Sequence, residues 1–303
     1  MSAAELELTE IQLEQPTGGL WSEAWYRLTH NVGAIIGAVL VAVFVILAVG
    51  AQWIAPSHPS NDVHLVGGIL QPQPPSTEHL LGLDLQGRDV FSRIVYGARY
   101  SLLIGVVSVG IGLSVGLLLG AFAGYVGRWP GAIVMRLMDI MLAIPGLLFA
   151  IAIVAMLGPG LWQVMIAVGV VNIPIFARLL RGSVIAQKEN EYVLAARVVG
   201  VPRRKILFSH ILPNSISPVI VAGTLAMATA IIDVAGLGFL GLGPQDPSTP
   251  EWGTMLTNVN EYLVAAPYLA IIPCLAIVIS VLGFNLIGDG LREALDPKLR
   301  GRA

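Results

Sequence analysis

The sequence predicts an all-α membrane protein that crosses a bilayer six times. The chain has 303 residues, of which 55% are hydrophobic and 12% are charged. Soluble globular proteins have roughly 45–50% apolar and roughly 25% charged residues, so this composition is typical of a polytopic membrane protein. The apolar residues also fall in runs of about 20, the length that an α-helix needs to cross the hydrocarbon.

Six apolar runs are long enough to span a membrane. The predicted spans, in chain order, are Val32–Ile54, Ser101–Val126, Leu137–Leu157, Leu161–Leu180, Ile216–Leu242 and Tyr268–Ile287. Prolines in these runs lack a backbone donor and predict kinks, which suit a bundle whose helices move against one another. These prolines are Pro145, Pro174, Pro218 and Pro273.

The positive charges indicate the direction of the chain through the membrane. With the N-terminus in the cytoplasm, the inner segments collect 14 of the 17 Lys and Arg residues and the outer segments collect 3. The inner 14 are Arg27, Arg128, Arg136, Arg178, Arg181, Lys188, Arg197, Arg203, Arg204, Lys205, Arg292, Lys298, Arg300 and Arg302. The outer 3 are Arg88, Arg93 and Arg99. Because cytoplasmic loops are enriched in Lys and Arg, both termini are predicted to be cytoplasmic.

The spans divide the chain into five parts. These are a cytoplasmic N-terminal segment with an elbow helix (1–31), the first span (32–54), an external loop with an interfacial helix (55–99), a core of five spans (100–291) and a cytoplasmic tail (292–303). The interfacial helix is predicted from apolar residues at i, i+4 beside the three outer arginines. The elbow helix is predicted from a face of Leu20, Trp21, Trp25 and Leu28, for which an ordinary aromatic anchor is the alternative.

Several kinds of chemistry are not predicted for this chain. It has one cysteine, Cys274, so no intrachain disulfide is expected. Its five histidines are scattered without an HExxH or an i, i+4 pair, so no metal site is expected. Its lysines lack the GxxxxGKS/T context that holds nucleotide phosphates, and no GxSxG elbow occurs. The sequence therefore predicts no catalytic residues and no enzyme.

The cytoplasmic connection at 181–215 is the longest polar segment between spans. Its local signals are those of two short helices joined by a stop. Asn190 can cap the first helix, Gly200 ends it, and Pro202 begins the second, where its missing N–H is not needed. Pro213 is predicted to end the second helix.

The first of these helices has the residues of a docking site. Ala195 and Ala196 remove side-chain bulk, so another protein surface can approach the backbone closely, while Glu191, Tyr192 and Arg197 offer polar contacts. The three cations of the second helix need no partner, because the inward bias of positive charge explains them. A DNA-binding helix-turn-helix has a similar pattern, but two flanking spans hold this unit at the lipid surface, so no nucleic acid is expected.

Two acids lie within the predicted spans, where a charge costs about 2.5–3.5 kcal/mol on insertion scales. Asp139 is one turn from Arg136, which predicts an ion pair along one helix. Asp233 has no cation at helical spacing and precedes the glycine-rich GLGFLGLG. Either it satisfies backbone groups that a helix break exposes, or it lines a translocation path as the pathway candidate.

The stretch AARVVGVPRRKILFSHILP, residues 195–213, resembles the EAA signature of ABC-importer permease subunits. That signature reads Glu-Ala-Ala, three residues, Gly, nine residues, Ile, one residue, Leu-Pro. The matching residues are Ala195, Ala196, Gly200, Leu212 and Pro213. Leu194 and His210 replace the glutamate and the isoleucine. Further blocks, including HLLGLDLQGRDVFSRIVYGARYSLL, MRLMDIMLAIPGLL, PSTPEWGTML and FNLIGDGLREALDPKL, resemble the C-type permease of dipeptide importers.

The resemblance implies the type I ABC importer permease fold in a prokaryotic cytoplasmic (inner) membrane. It implies a heterodimer with a second homologous permease, two cytoplasmic ATPase subunits that bind ATP and Mg, and an external substrate-binding protein. No cofactor is expected in this chain itself. The loop at 191–212 would couple the chain to the ATPase subunits. The coupling residues would be Glu191, Tyr192, Ala195, Ala196, Arg197, Gly200 and Arg203.

The resemblance further implies import of dipeptides or short oligopeptides by alternating access. Similar permeases are associated with haem, glutathione or nickel, and the sequence does not separate these substrates. An ion-coupled secondary transporter is the alternative from another energetic class. Such a transporter normally has two repeated halves with broken helices, and this sequence has no such repeat.

Overall fold

The computed structural model describes residues 20–58, 62–65, 68, 70–246 and 248–295. The first 19 residues of the predicted N-terminal segment, the side chains of Leu20 and Trp21, and the tail beyond residue 295 lie outside this description. The α-helices are α1 Leu20–His30, α2 Val32–Ile54, α3 Val90–Val126, α4 Arg128–Leu142, α5 Gly146–Leu157, α6 Leu161–Lys188, α7 Glu191–Val198, α8 Arg203–Ile206, α9 Leu212–Ser215, α10 Ser217–Phe239 and α11 Tyr268–Leu295. A π-helical turn, Leu207–Ile211, joins α8 to α9, and two 3-10 turns, Thr254–Leu256 and Val259–Tyr262, precede α11.

Within the described part of the chain, five helices are long and apolar enough to cross a membrane: α2, α3, α6, α10 and α11. The predicted third span, Leu137–Leu157, is not one helix, because α4 and α5 meet at an angle of 92°. Pro145 causes the break, since its backbone is extended and the residue before a proline is disfavoured in helical conformation. The sixth crossing therefore stays a prediction that depends on the bent pair.

The predicted interfacial helix of the external loop is not a separate element. It is the first part of α3, which runs without interruption from Val90 to Val126. Asp89 begins this helix, and its carboxylate accepts a hydrogen bond from Ser92 N at 2.7 Å. The predicted irregular part of the loop thus ends at this cap.

Small residues let α3 and α6 pack at very short distance. A Cβ atom on Gly116 would lie 2.7 Å from the Cβ of Phe176, and one on Gly120 would lie 2.5 Å from the carbonyl oxygen of Ala177. Phe176 and Ala177 are fully buried in this contact. Without a hydrophobic driving force in lipid, such close backbone packing is what associates membrane helices. We therefore regard the α3–α6 pair as the centre of the bundle.

One end of the bundle, which we call the loop end, is formed by the described residues of the segments 55–89 and 240–267. Trp252 is buried there against Phe44, and its indole N–H donates to the Ile94 carbonyl at 3.2 Å. Tyr268 donates its hydroxyl hydrogen to the Leu83 carbonyl at 2.8 Å. These bonds tie each loop to a helix far from it in the sequence. Leu81 and Leu85 of the first loop also pack against a buried cluster that contains Val259 and Ala266 of the second, so the two loops form one cap on the helices.

Glu251 lies at the centre of the loop end and is only 2% exposed. Its Oε1 accepts a hydrogen bond from Gly253 N at 2.8 Å and its Oε2 accepts one from Thr254 N at 2.7 Å. Thr257 donates to the carbonyl of Gly238 at 3.0 Å, near the end of α10. A backbone carbonyl in the last turn of α10, where helical partners are missing, is thus hydrogen-bonded by the segment that follows the helix.

The helix α1 packs at the opposite end, beside the last turns of α11. Asn31 separates α1 from α2, and its Oδ1 accepts a hydrogen bond from Ala34 N at 2.9 Å. Its Nδ2 donates to Glu293 Oε2 at 2.6 Å, which connects the start of the first span to the end of the last. Trp25 is exposed on α1. The lipid-interface position of this helix stays a prediction.

Candidate functional site

The predicted connection folds into two antiparallel arms, residues 191–215, which we call the hairpin. It begins later than predicted because α6 continues to Lys188. Gly200 ends α7 with a left-handed backbone (φ +82°), as predicted. The N–H groups of Gly200 and Val201 donate to the carbonyls of Arg197 and Ala196, the bonding pattern of a Schellman turn.

Asn190 and Pro213 behave differently from the prediction. Asn190 precedes α7, but its side chain donates to Gln187 Oε1 at 2.8 Å and makes no cap bond. Pro213 does not end the second arm, which remains helical to Ser215. In the π turn before it, Leu212 N donates to the carbonyl five residues back. This wider turn gives the proline ring room that a regular α-helix would not provide.

The two alanines of the predicted signature have different surroundings. Ala196 is half-buried and, like the fully buried Val193, packs against the core of the bundle. Ala195 is exposed. The inner face of α7 therefore fixes the hairpin to the spans, and the other face is available for contact with a partner.

The outer face of the hairpin is apolar. We call Leu194, Ala195, Val198 and Val199 the outer patch. Val198 is 88% exposed and Val199 is 82% exposed. An apolar patch that a chain leaves uncovered is typical of an interaction site. Sequence reasoning missed Leu194, Val198 and Val199, although their presence in a polar connection was the available signal.

The other predicted coupling residues have distinct positions on the hairpin. Glu191 is exposed at the start of α7. The Tyr192 hydroxyl donates to Gln187 Oε1 at 2.7 Å and lies 3.3 Å from the His210 carbonyl oxygen, so this residue ties the two arms together. Arg197, Gly200 and Arg203 line a cavity of about 800 Å³ behind the hairpin. The structure thus brings all seven predicted residues onto one unit.

The hairpin is bonded directly to the two central helices. Tyr125, at the end of α3, donates its hydroxyl hydrogen to the carbonyl of Arg203 at 2.7 Å. On the other side, Tyr192 of the hairpin donates to Gln187 of α6 at 2.7 Å. Lys188, at the end of α6, donates to the Tyr125 carbonyl at 2.9 Å and lies over the tyrosine ring, which joins α6 to α3. A few short contacts thus hold the hairpin to both α3 and α6.

The predicted ion pair of Asp139 is wrong. Its carboxylate pairs with Arg178 of the neighbouring helix α6, at 2.7 Å between Oδ1 and Nη2, and not with Arg136. Both side chains are about half exposed. Spacing along one helix reveals only partners on that helix, whereas packing of α4 on α6 brings a second arginine closer.

Asp233 lies on α10 and is partly exposed. It does not satisfy backbone groups at a helix break, because α10 continues past it to Phe239. Those groups are instead satisfied by residues such as Thr257. An apolar groove of about 820 Å³ opens along α6 and α10, and Asp233 is not among the residues that line it. The pathway role of Asp233 stays a prediction.

Comparison with known proteins gives a consistent family assignment. The model of the binding-protein-dependent transport system inner membrane component matches residues 116–301. The model of the N-terminal TM domain of oligopeptide transport permease C matches residues 19–75. The two matches together cover the first span and, from residue 116 onward, the core with the hairpin.

Several relatives are similar over most of their length. The dipeptide transport system permease protein DppC of Alkalihalophilus pseudofirmus is 47% identical, covering 92% of this chain and 90% of the relative. The di/tripeptide transport system permease protein DppC of Pseudomonas aeruginosa is 46% identical, covering 93% of both. The glutathione transport system permease protein GsiD of Escherichia coli O157:H7 is 45% identical, covering 93% of this chain and 91% of the relative.

A solved structure has the same fold. A chain of the MetNI methionine ABC transporter in inward-facing conformation aligns with a TM-score of 0.55 at 20% identity, covering 67% of this chain and 96% of that chain. This likeness concerns the fold of the permease core. The family match and the high identities over nearly the whole chain show that the chain belongs to the inner membrane components of binding-protein-dependent transport systems, the permease subunits of ABC importers.

Proposed function

We propose that this permease subunit moves dipeptides or short oligopeptides into the cytoplasm by alternating access. Relatives at 46–47% identity are named for dipeptide or di/tripeptide transport, which supports this substrate class. A relative at 45% identity is named for glutathione, which keeps that tripeptide as the second candidate. Haem and nickel have no such support among these relatives.

The observation that carries the mechanism is the uncovered outer patch on the hairpin. Members of this family work with ATPase and substrate-binding-protein partners. We place the ATPase subunits, with their bound ATP and Mg, against the outer patch through the loop at 191–212. Apolar contact at Leu194, Val198 and Val199 would supply affinity, and the exposed Glu191 would supply polar specificity. Both termini are then cytoplasmic, as the positive charges indicate.

A second, homologous permease completes the proposed pathway. The open apolar groove along α6 and α10 and the exposed apolar faces of α4 and α5 offer a surface for this partner subunit. Closure of the ATPase subunits would move the two hairpins, and the bonds of Tyr125 and Lys188 would pass this movement to the central helices. An ion-coupled secondary transporter would not need these contacts.

Replacing Val198 with aspartate is expected to separate the permease from its ATPase subunits. A carboxylate in the centre of an apolar interface should weaken association by about 30-fold or more, which corresponds to about 2 kcal/mol. The measurement is co-purification of the ATPase subunits and ATP-driven peptide uptake in proteoliposomes. The matched control is Val264→Asp, because Val264 is 99% exposed at the loop end. Equal uptake by both variants would refute the coupling role of the hairpin.

Replacing Asp233 with asparagine tests the pathway separately. If its carboxylate meets the ammonium group of a peptide, its loss should lower uptake by about tenfold, the effect of one charge-assisted hydrogen bond. Assembly with the ATPase subunits should be unchanged, because Asp233 is remote from the hairpin in the chain. Uptake of an N-acetylated peptide provides the control, since it lacks the ammonium group. A variant that transports both peptides like the wild type would remove Asp233 from the pathway.

A further inference from the structure

The cavity behind the hairpin has an unusual set of walls. It is a half-open space of about 800 Å³ between α7, α8 and the ends of the central helices. Four cations from four separate segments line it: Arg128 at the start of α4, Lys188 at the end of α6, Arg197 on α7 and Arg203 on α8. Tyr125 contributes an aromatic wall. No carboxylate occurs among the described residues that line this space.

Arg128, Arg197 and Arg203 are exposed, and Lys188 donates to the Tyr125 carbonyl. With no carboxylate among the lining residues, these cations give the space a positive potential that attracts an anion. The inward bias of positive charge explains why arginines and lysines occur on this side of the membrane, but it does not require them to share one space. Arg204 and Lys205 satisfy the same bias on the same hairpin and do not line the cavity. The cavity therefore needs an explanation of its own.

The position of the cavity indicates what kind of anion it receives. Its wall includes Val126, the last residue of the apolar helix α3. Trp129, next to Arg128, is 73% exposed. Tryptophan is enriched where lipid headgroups meet acyl chains, so its exposure beside the cavity favours a position at the depth of the lipid phosphates. Basic pockets between membrane helices on the cytoplasmic side bind anionic lipid headgroups.

We propose that this cavity binds the phosphate of an anionic phospholipid, which bridges the hairpin to the ends of α3, α4 and α6. The lipid neutralises the converging cations and adds a second connection beside the Tyr125 and Lys188 bonds. The inference concerns a lipid site of the chain itself, and it does not depend on which substrate the importer carries.

Arg128 is the most informative residue for a test. Its backbone is left-handed (φ +49°), a conformation that asparagine adopts more readily than most residues. Arg128→Asn therefore removes the charge without disturbing the turn. Arg204→Asn is the matched control, because it removes an exposed hairpin charge outside the cavity.

The experiment uses the full chain, with whatever subunits accompany it, in nanodiscs of phosphatidylcholine with or without phosphatidylglycerol. Native mass spectrometry then counts the phosphatidylglycerol retained after detergent exchange. Arg128→Asn should lower this retention by about fivefold, the contribution of one cation near a lipid surface, and Arg204→Asn should leave it unchanged.

Three results would overturn the proposal. The first is a lack of lipid specificity, seen either as equal loss of phosphatidylglycerol from both variants or as equal retention of phosphatidylglycerol and phosphatidylcholine. The second is displacement of the lipid by millimolar inorganic phosphate, which would assign the cavity to a soluble anion. The third is loss of ATPase subunits from Arg128→Asn with unchanged lipid retention, which would assign it to an acidic protein surface. Lipid retention is read from the permease itself, so it can fail or succeed independently of peptide uptake.

Discussion

Gly120→Leu is expected to prevent the bundle from packing. The Cβ atom of the new side chain would lie 2.5 Å from the carbonyl oxygen and 3.0 Å from the Cα of Ala177. These are backbone atoms of α6, so no side chain can turn aside and the two helices must separate. We expect a loss of about 3 kcal/mol or more in the free energy of unfolding. The measurement is the yield of monodisperse protein after extraction and its thermal unfolding temperature.

Gly110→Leu is the control for this experiment. It makes the same chemical change on the same helix, but no atom lies within 4 Å of a Cβ at this position. The unfolding temperature should barely change, since surface substitutions usually alter stability by less than about 0.5 kcal/mol. If the two leucine variants were equally stable, the close approach of α3 and α6 would be wrong.

Glu251→Gln is expected to destabilise the loop end by about 1–3 kcal/mol. Both carboxylate oxygens accept backbone hydrogen bonds, from Gly253 and Thr254. The glutamine side chain has only one acceptor oxygen. Its NH₂ group would therefore face one of the two backbone N–H donors, and that donor would have no hydrogen-bond partner in a buried site. The measurement is thermal unfolding together with the rate of protease cleavage in residues 240–267. Wild-type stability and cleavage in this variant would contradict the buried geometry.

The same residue makes a prediction about pH. Burial raises the pKa of Glu251 from 4.5 to about 7, although hydrogen bonds from Gly253 and Thr254 oppose the rise. Between these two values the folded chain holds a proton that the unfolded chain releases, so stability falls as the pH increases. The fall should be complete above about pH 7. The difference in unfolding temperature between wild type and Glu251→Gln, measured from pH 5 to pH 8, should show this trend, and a difference that rises with pH would contradict it.

The sequence predicted five of the six spans as single helices, because their length and apolar character are local properties. It also predicted the turn of the hairpin, since few residues other than glycine adopt the backbone of Gly200. It did not predict the angle between α4 and α5. Pro145 indicates that a helix is interrupted there, but the 92° bend depends on how the two pieces pack against their neighbours.

The features that sequence analysis missed depend on contacts between distant segments. Asp139 pairs with Arg178, which helical spacing could not reveal. Glu251 and Trp252 occur in the loop between α10 and α11, yet both side chains are buried. The sequence likewise did not reveal which face of α7 is buried. Neither face has a continuous polar stripe, so nothing in the pattern separates Ala195 from Ala196.

Photo-crosslinking from the outer patch shows whether the hairpin contacts an ATPase subunit. A photoreactive amino acid at position 198 of the chain in intact cells should form a covalent adduct with an ATPase subunit, and the same group at position 264 should form none. We expect this adduct because Val198 is exposed on the hairpin, which contacts the ATPase subunits in the proposed assembly. Absence of the adduct, together with labelling of position 198 by a membrane-impermeant reagent applied outside the cell, would contradict it.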